Sequence, residues 1–137
     1  MNQHAYLRAY MAGIVVPTVF LLVVATVFTM ARYVYNIPLP VERVIVFPMA
    51  VVPNAWGLWN VLFIALRTRL QLSIGVHGAL LPILLAPLGI LVASLLNASI
   101  PNFVAHAFPI LAPVGLIAYY LAWKYLVGFL NRVQGIA

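Results

Sequence analysis

The 137-residue chain is 66% hydrophobic and only 6% charged, and its seven Lys/Arg face a single acid, Glu42, for a formal charge of +6. A soluble globule must present a polar exterior that this composition cannot supply, so the expected solvent is a lipid bilayer. The basic residues are scattered at the ends of apolar runs, which excludes a phosphate-tracking patch and nucleic acid as partner; the lack of cysteine excludes disulfides, thiol catalysis and thiolate metal sites.

The length accommodates about four spans of ~20 residues with short connections and no separate soluble domain. Residues 1–10 form a short polar lead carrying Arg8 and two tyrosines. The first span is expected over roughly 11–31. Its apolar run exceeds the ~7–15-residue core of a signal peptide, and Arg32 and Tyr33 follow where small residues would mark cleavage, so it reads as a retained span. Pro38 and Pro40 break the chain before a second span over roughly 44–65. Arg67 and Arg69 mark the next connection, and a third span covers roughly 74–96. The uncharged turn Asn97-Ala98-Ser99-Ile100-Pro101-Asn102 leads into a fourth span over roughly 103–123, with the helix continuing along the membrane surface toward Arg132.

This reading places Arg8, Arg67, Arg69, Lys124 and Arg132 on one side and Arg32 and Arg43 on the other. The positive-inside rule then makes both termini cytoplasmic. Tyr6, Tyr10, Tyr119, Tyr120, Trp123 and Tyr125 gather on the same side and read as an interfacial aromatic belt. The expected fold is an all-α, proline-kinked bundle of four transmembrane helices, N-in and C-in, in a bacterial inner (plasma) membrane.

The third span carries small residues or proline at Gly75, Ala79, Pro82, Ala86, Gly89 and Ala93, spaced alternately by four and three. The fourth has a looser version at Ala105, Pro109, Ala112, Gly115, Ala118 and Ala122. Small residues let helices approach closely in lipid, and the short turn makes these spans antiparallel neighbours, so the two seams are expected to face each other. Read as a repeat, the stretches from His77 and from His106 have inverted topology, a transporter-like arrangement. Prolines interrupt every span: Pro17, Pro48 and Pro53, Pro82 and Pro87, Pro109 and Pro113. Each interior proline frees the carbonyl four residues earlier, as Pro53 does for Met49 and Pro87 for Ile83.

The catalytic inventory is thin. Glu42 is the one carboxylate, with Arg43 beside it as a surface partner, so dyad chemistry or a carboxylate-rich metal cage is excluded within one protomer. No enzyme activity is expected. His77 lies near the start of the third span and His106 near the start of the fourth. That separates them by about 20 Å in depth at ~1.5 Å per residue, so they cannot share one metal or haem. No cofactor is expected; a haem or chlorophyll-type pigment on His77 or His106 is the alternative to ordinary hydrogen bonding.

The most pointed stretch is Pro53-Asn54-Ala55-Trp56-Gly57-Leu58-Trp59-Asn60, set inside an uncharged apolar run. Asn54 falls near the midplane, where an unpaired amide costs several kcal/mol, so it must face protein or water. Asn60 and Gly57 lie on a nearby helical face, and Trp56, Trp59 and Phe63 form an adjacent aromatic ridge. Asn54 reads first as an interhelical clamp; in the alternative, Asn54, Gly57, Asn60 and Trp56 are the candidate ligand-contacting or pore-lining residues, with Thr18, Thr26, Thr29 and Ser94 as further polar groups. The expected function is a channel or transporter-like homo-oligomer for a neutral or anionic solute. Its alternative is a non-catalytic structural or pigment-binding subunit of a larger membrane complex.

Overall fold

The computed structural model describes residues 3–46, 48–97, 99–100 and 102–136. The described chain is all-helical: α1 (Ala5–Tyr33), α2 (Val41–Val46), α3 (Pro48–Leu70), α4 (Ile74–Leu95), α5 (Asn102–Leu121), a π-helical segment (Ala122–Val127) and α6 (Gly128–Val133). Four stretches among the described residues are long and apolar enough to cross a membrane: Ala5–Tyr33, Val41–Leu70, Ile74–Leu95 and Asn102–Val133. By length and composition these mark a membrane protein.

The helices stop where the backbone turns left-handed. Asn36, Gln71 and Asn97 have φ of 55°, 49° and 50° just beyond α1, α3 and α4, and Gly135 has φ 69° beyond α6. Asparagine and glycine tolerate this region, and a left-handed residue after the last turn lets later N–H groups return to orphan carbonyls. Ile37 accordingly donates to Ala31 O at 2.9 Å, and Ile136 to Asn131 O at 3.0 Å. At the start of α4 the Ser73 hydroxyl accepts from Val76 N, a normal N-cap.

Small residues make the first hairpin. A Cβ built on Gly13 would lie 2.6 Å from the Trp56 carbonyl oxygen and 2.8 Å from Gly57 Cα, so α1 and α3 touch backbone to backbone. Ala9 and Ala12 continue the contact and are fully buried. The pairing is antiparallel: Ala5 and Ala9 cluster with Ile64, and Gly13 lies against Trp56.

The second hairpin, α4 with α5, uses glycine against aromatic rings. Gly75 lies under Tyr120, and Gly78 lies so close to Trp123 that a Cβ would fall 1.9 Å from its Cγ. This differs from the expected pairing of two small-residue seams. Gly78 is off the seam, Ala86, Ala105, Pro109 and Ala118 are exposed, and a Cβ on Gly115 would meet nothing within 4 Å. The large rings of Tyr119, Tyr120 and Trp123 bury more area than alanine against alanine, and they set the rotation of the helix.

The two hairpins join at the end that holds both termini. Trp56 of α3, Leu81 of α4, and Trp123 and Val127 of the π segment form one core cluster. The final turns do not run along a surface as expected but enter the bundle, where Gly128 and Asn131 are buried. Arg8 and Arg67 then hold the tail, donating to the carbonyls of Gln134 (3.5 Å) and Ile136 (2.6 Å). Trp123 consequently belongs to the core, with Tyr119 half-buried against it, and neither sits in an interfacial belt. At the opposite end Glu42 pairs with Arg32 of α1 at 2.5 Å, tying the α1–α2 connection to the end of α1.

The glycine contacts give a paired prediction. Gly13→Ala should destabilise the folded protein by about 1–3 kcal/mol, because backbone atoms cannot yield to the new methyl. Gly115→Ala should be neutral or stabilising, since it adds helix propensity worth up to ~1 kcal/mol in open space. Equilibrium unfolding in mild detergent would distinguish them; equal effects would mean that the α1–α3 approach is looser than described.

Candidate functional site

The polar groups near the bundle centre fall into three constellations. In the first, Asn60 projects from α3 toward α1 and α6. Its Nδ2 donates to Ala9 O at 2.7 Å and to Asn131 Oδ1 at 2.8 Å, while Asn131 Nδ2 donates back to Asn60 Oδ1 at 3.0 Å. Both asparagines are 0% exposed. An amide has two donor hydrogens, and both of Asn60's are engaged within the protein. This constellation holds three helices together and leaves Asn60 no donor for a ligand.

In the second, Trp59 of α3 and His77 of α4 bond reciprocally. Trp59 Nε1 donates to His77 O at 2.7 Å, and His77 Nε2 bonds to Trp59 O at 2.9 Å, necessarily as a donor. The two rings stack at 4.6 Å. Beside them Trp56 lies 5.2 Å from Trp123 and 5.1 Å from Tyr119, and its Nε1 donates to the Tyr119 hydroxyl at 3.4 Å. Trp123 Nε1 is buried with no acceptor among the described residues. The aromatic ridge expected on α3 is thus the wall against which α4 and the π segment pack.

In the third, the Tyr10 ring covers Gly57, whose hypothetical Cβ would lie 2.6 Å from two ring carbons. Only the bare backbone at 57 lets the ring lie flat enough for its hydroxyl to reach the Asn54 Oδ1. Asn54 Nδ2 also donates to Ala50 O at 2.7 Å, which orients the amide. Unlike Asn60, Asn54 is exposed. It sits near the middle of Val41–Leu70 and bonds to Tyr10 and Ala50 with no bond to the Asn60 pair, so the structure separates the two amides.

The remaining expected residues are dispersed. Thr26 and Thr29 bond back to Leu22 O and Ala25 O of their own helix. His106 Nδ1 bonds to Asn102 O at 2.9 Å on an exposed face, at the end of the α4–α5 hairpin opposite His77. An open groove of about 460 Å³ lies at the Arg32–Glu42 end, lined by those two residues, Pro38, Leu39, Pro40 and Arg43. A hollow of about 10 Å³ beside His77 and Phe63 holds no more than about one water. Neither is lined by Asn54, Gly57, Asn60 or Trp56.

Asn131 is the polar centre that the sequence reading missed. A signal existed in the four-residue spacing Trp123, Val127, Asn131, which continues one helical face past Lys124. The basic residues Lys124 and Arg132 on that stretch made it read as surface.

Asn60→Leu or Asn131→Leu alone should cost about 1–3 kcal/mol, because each strands the other amide in the core. The double substitution should cost less than the sum. Strict additivity in a double-mutant unfolding cycle would show that the two amides do not act as a pair.

No protein-family model, curated protein or solved structure matches the chain.

Proposed function

We propose that the chain is a non-catalytic, membrane-embedded subunit of a larger assembly, with both termini cytoplasmic and α5 completed by another transmembrane protein. The observation that carries this reading is α5 itself. Its 20 residues include Pro109 and Pro113 and not one buried side chain. The carbonyls released by these prolines belong to Ala105 and Pro109, which are exposed and receive no side-chain donor among the described residues. In hydrocarbon such groups are costly unless neighbouring helices or water supply donors. The polar centre around Asn60 is closed and supports clamping over solute binding.

Extraction in mild detergent, followed by native mass spectrometry and identification of bound chains, tests this reading. The expected result is a complex containing a second membrane protein, lost or weakened when Ile110→Arg marks the exposed face of α5 (71% exposed). A colourless, strictly monomeric chain under the same conditions overturns it. An absorbance spectrum of that complex checks the version in which His77 or His106 ligates haem or pigment.

The second reading, a channel or transporter-like oligomer for a neutral or anionic solute, is favoured by the Tyr10–Asn54 pair on an exposed midspan face. It requires solute flux in proteoliposomes that falls with Asn54→Leu; flux indistinguishable from empty liposomes removes it.

A further inference from the structure

We infer that the Asn54 face of the α1–α3 hairpin binds a second copy of this chain, in parallel orientation, through reciprocal amide hydrogen bonds between the two Asn54 side chains. The starting point is what Asn54 has left. A primary amide offers two donor hydrogens and two acceptor lone pairs. Tyr10 takes one lone pair of Oδ1, and Ala50 O takes one hydrogen of Nδ2. One donor and one acceptor remain on the same exposed amide.

That remainder is self-complementary. Two such amides related by a two-fold axis can each donate to the other's oxygen, which is the isologous arrangement of a symmetric dimer. The chain already builds this geometry once, in the reciprocal Asn60–Asn131 bonds of 2.8 and 3.0 Å. A charged partner group would leave either the donor or the acceptor unmet, whereas a second Asn54 meets both.

Depth and shape agree. Two parallel copies in one membrane carry Asn54 at the same depth, so no sliding is needed for the amides to meet. Ala50 and Leu58 flank Asn54 by one turn on the same helix face, and both are exposed. Alanine on one side allows close approach, and Leu58, 63% exposed, supplies apolar contact on the other. The Tyr10 ring on Gly57 holds the amide from behind, so its orientation is set before a partner arrives. This surface is on the α1–α3 hairpin, separate from the α5 face assigned to another protein; it shares with that assignment only the premise that the chain is membrane-embedded.

Because the chain has no cysteine, single thiols report cleanly. Ala50→Cys and Leu58→Cys, with Leu88→Cys on α4 as the control, would be treated in native membranes with a short membrane-permeant bismaleimide. Carbonate extraction of the same membranes tests embedding by itself, so failure of that premise is read separately from failure of the dimer. The expected product at positions 50 and 58 has twice the chain's mass, well above the yield at 88. Adding Asn54→Leu should lower it by about 3-fold or more, the effect of losing interhelical hydrogen bonds of ordinary strength. Tyr10→Phe, which keeps the amide and frees an acceptor, should retain the product.

The inference is overturned if positions 50 and 58 cross-link no better than 88, or if the adduct contains a different protein. It is overturned equally if Asn54→Leu leaves the yield unchanged. Finally, a loss with Tyr10→Phe as complete as with Asn54→Leu would assign the effect to α1–α3 packing and overturn the role of the free amide groups.

Discussion

The bundle depends on where Trp123 sits. Its ring rests on the bare backbone of Gly78, faces Trp56 of the first hairpin, and is closed to solvent. It lies in the π-helical stretch Ala122–Val127, where the helix accommodates about one residue more than an α-helix would. One residue corresponds to ~100° of helical rotation, so the π segment resets which side of the following turns faces inward. Asn131 thereby meets Asn60, and the tail comes within reach of Arg8 and Arg67. The two hairpins are joined by this one stretch far more than by direct contact between their outer halves.

An asymmetry follows along the length of the molecule. The end with both termini is densely packed, with satisfied amides, stacked rings and glycine close contacts. Toward the other end α4 and α5 present Ile83, Leu84, Ile90, Leu91, Ile110 and Val114 outward, all more than half exposed. Pro87 and Pro109 lie in these outer halves and are exposed. Apolar side chains turned outward suit lipid, so the assembly proposal rests on the carbonyls that the prolines free at Ala105 and Pro109.

The polar residues divide along the same line. Asn60, Asn131, Trp59 and His77 use their hydrogen-bonding capacity inside the chain, which gives them structural roles without requiring a ligand. Asn54 keeps part of its capacity and turns it outward. Two asparagines six residues apart on one helix thus do opposite work. Six residues correspond to a rotation of ~600°, or ~240° net, which places them on different faces. Gly57 lies between them in phase and serves the Tyr10 ring.

Composition and hydropathy alone determined that the described chain would be all-helical with four membrane-length stretches, because a continuous apolar run of ~20 residues satisfies its backbone within one segment only as a helix. Asn97 in the α4–α5 turn and the break around Pro38 and Pro40 were equally legible, since those residue types impose local backbone geometry. The crowding of Asn54, Trp56, Gly57 and Asn60 could be seen in the sequence, but which amide faced inward could not. That choice rested on Asn131, Ala9 and Tyr10, which are distant in sequence and supply the partners. The rotation of α5 onto aromatic rings, the entry of α6 into the core, and the pairing of Glu42 with Arg32 were likewise decided only in three dimensions. Each is a competition between nearly equivalent helix faces, settled by the volume and hydrogen-bonding groups of whichever helix arrives opposite.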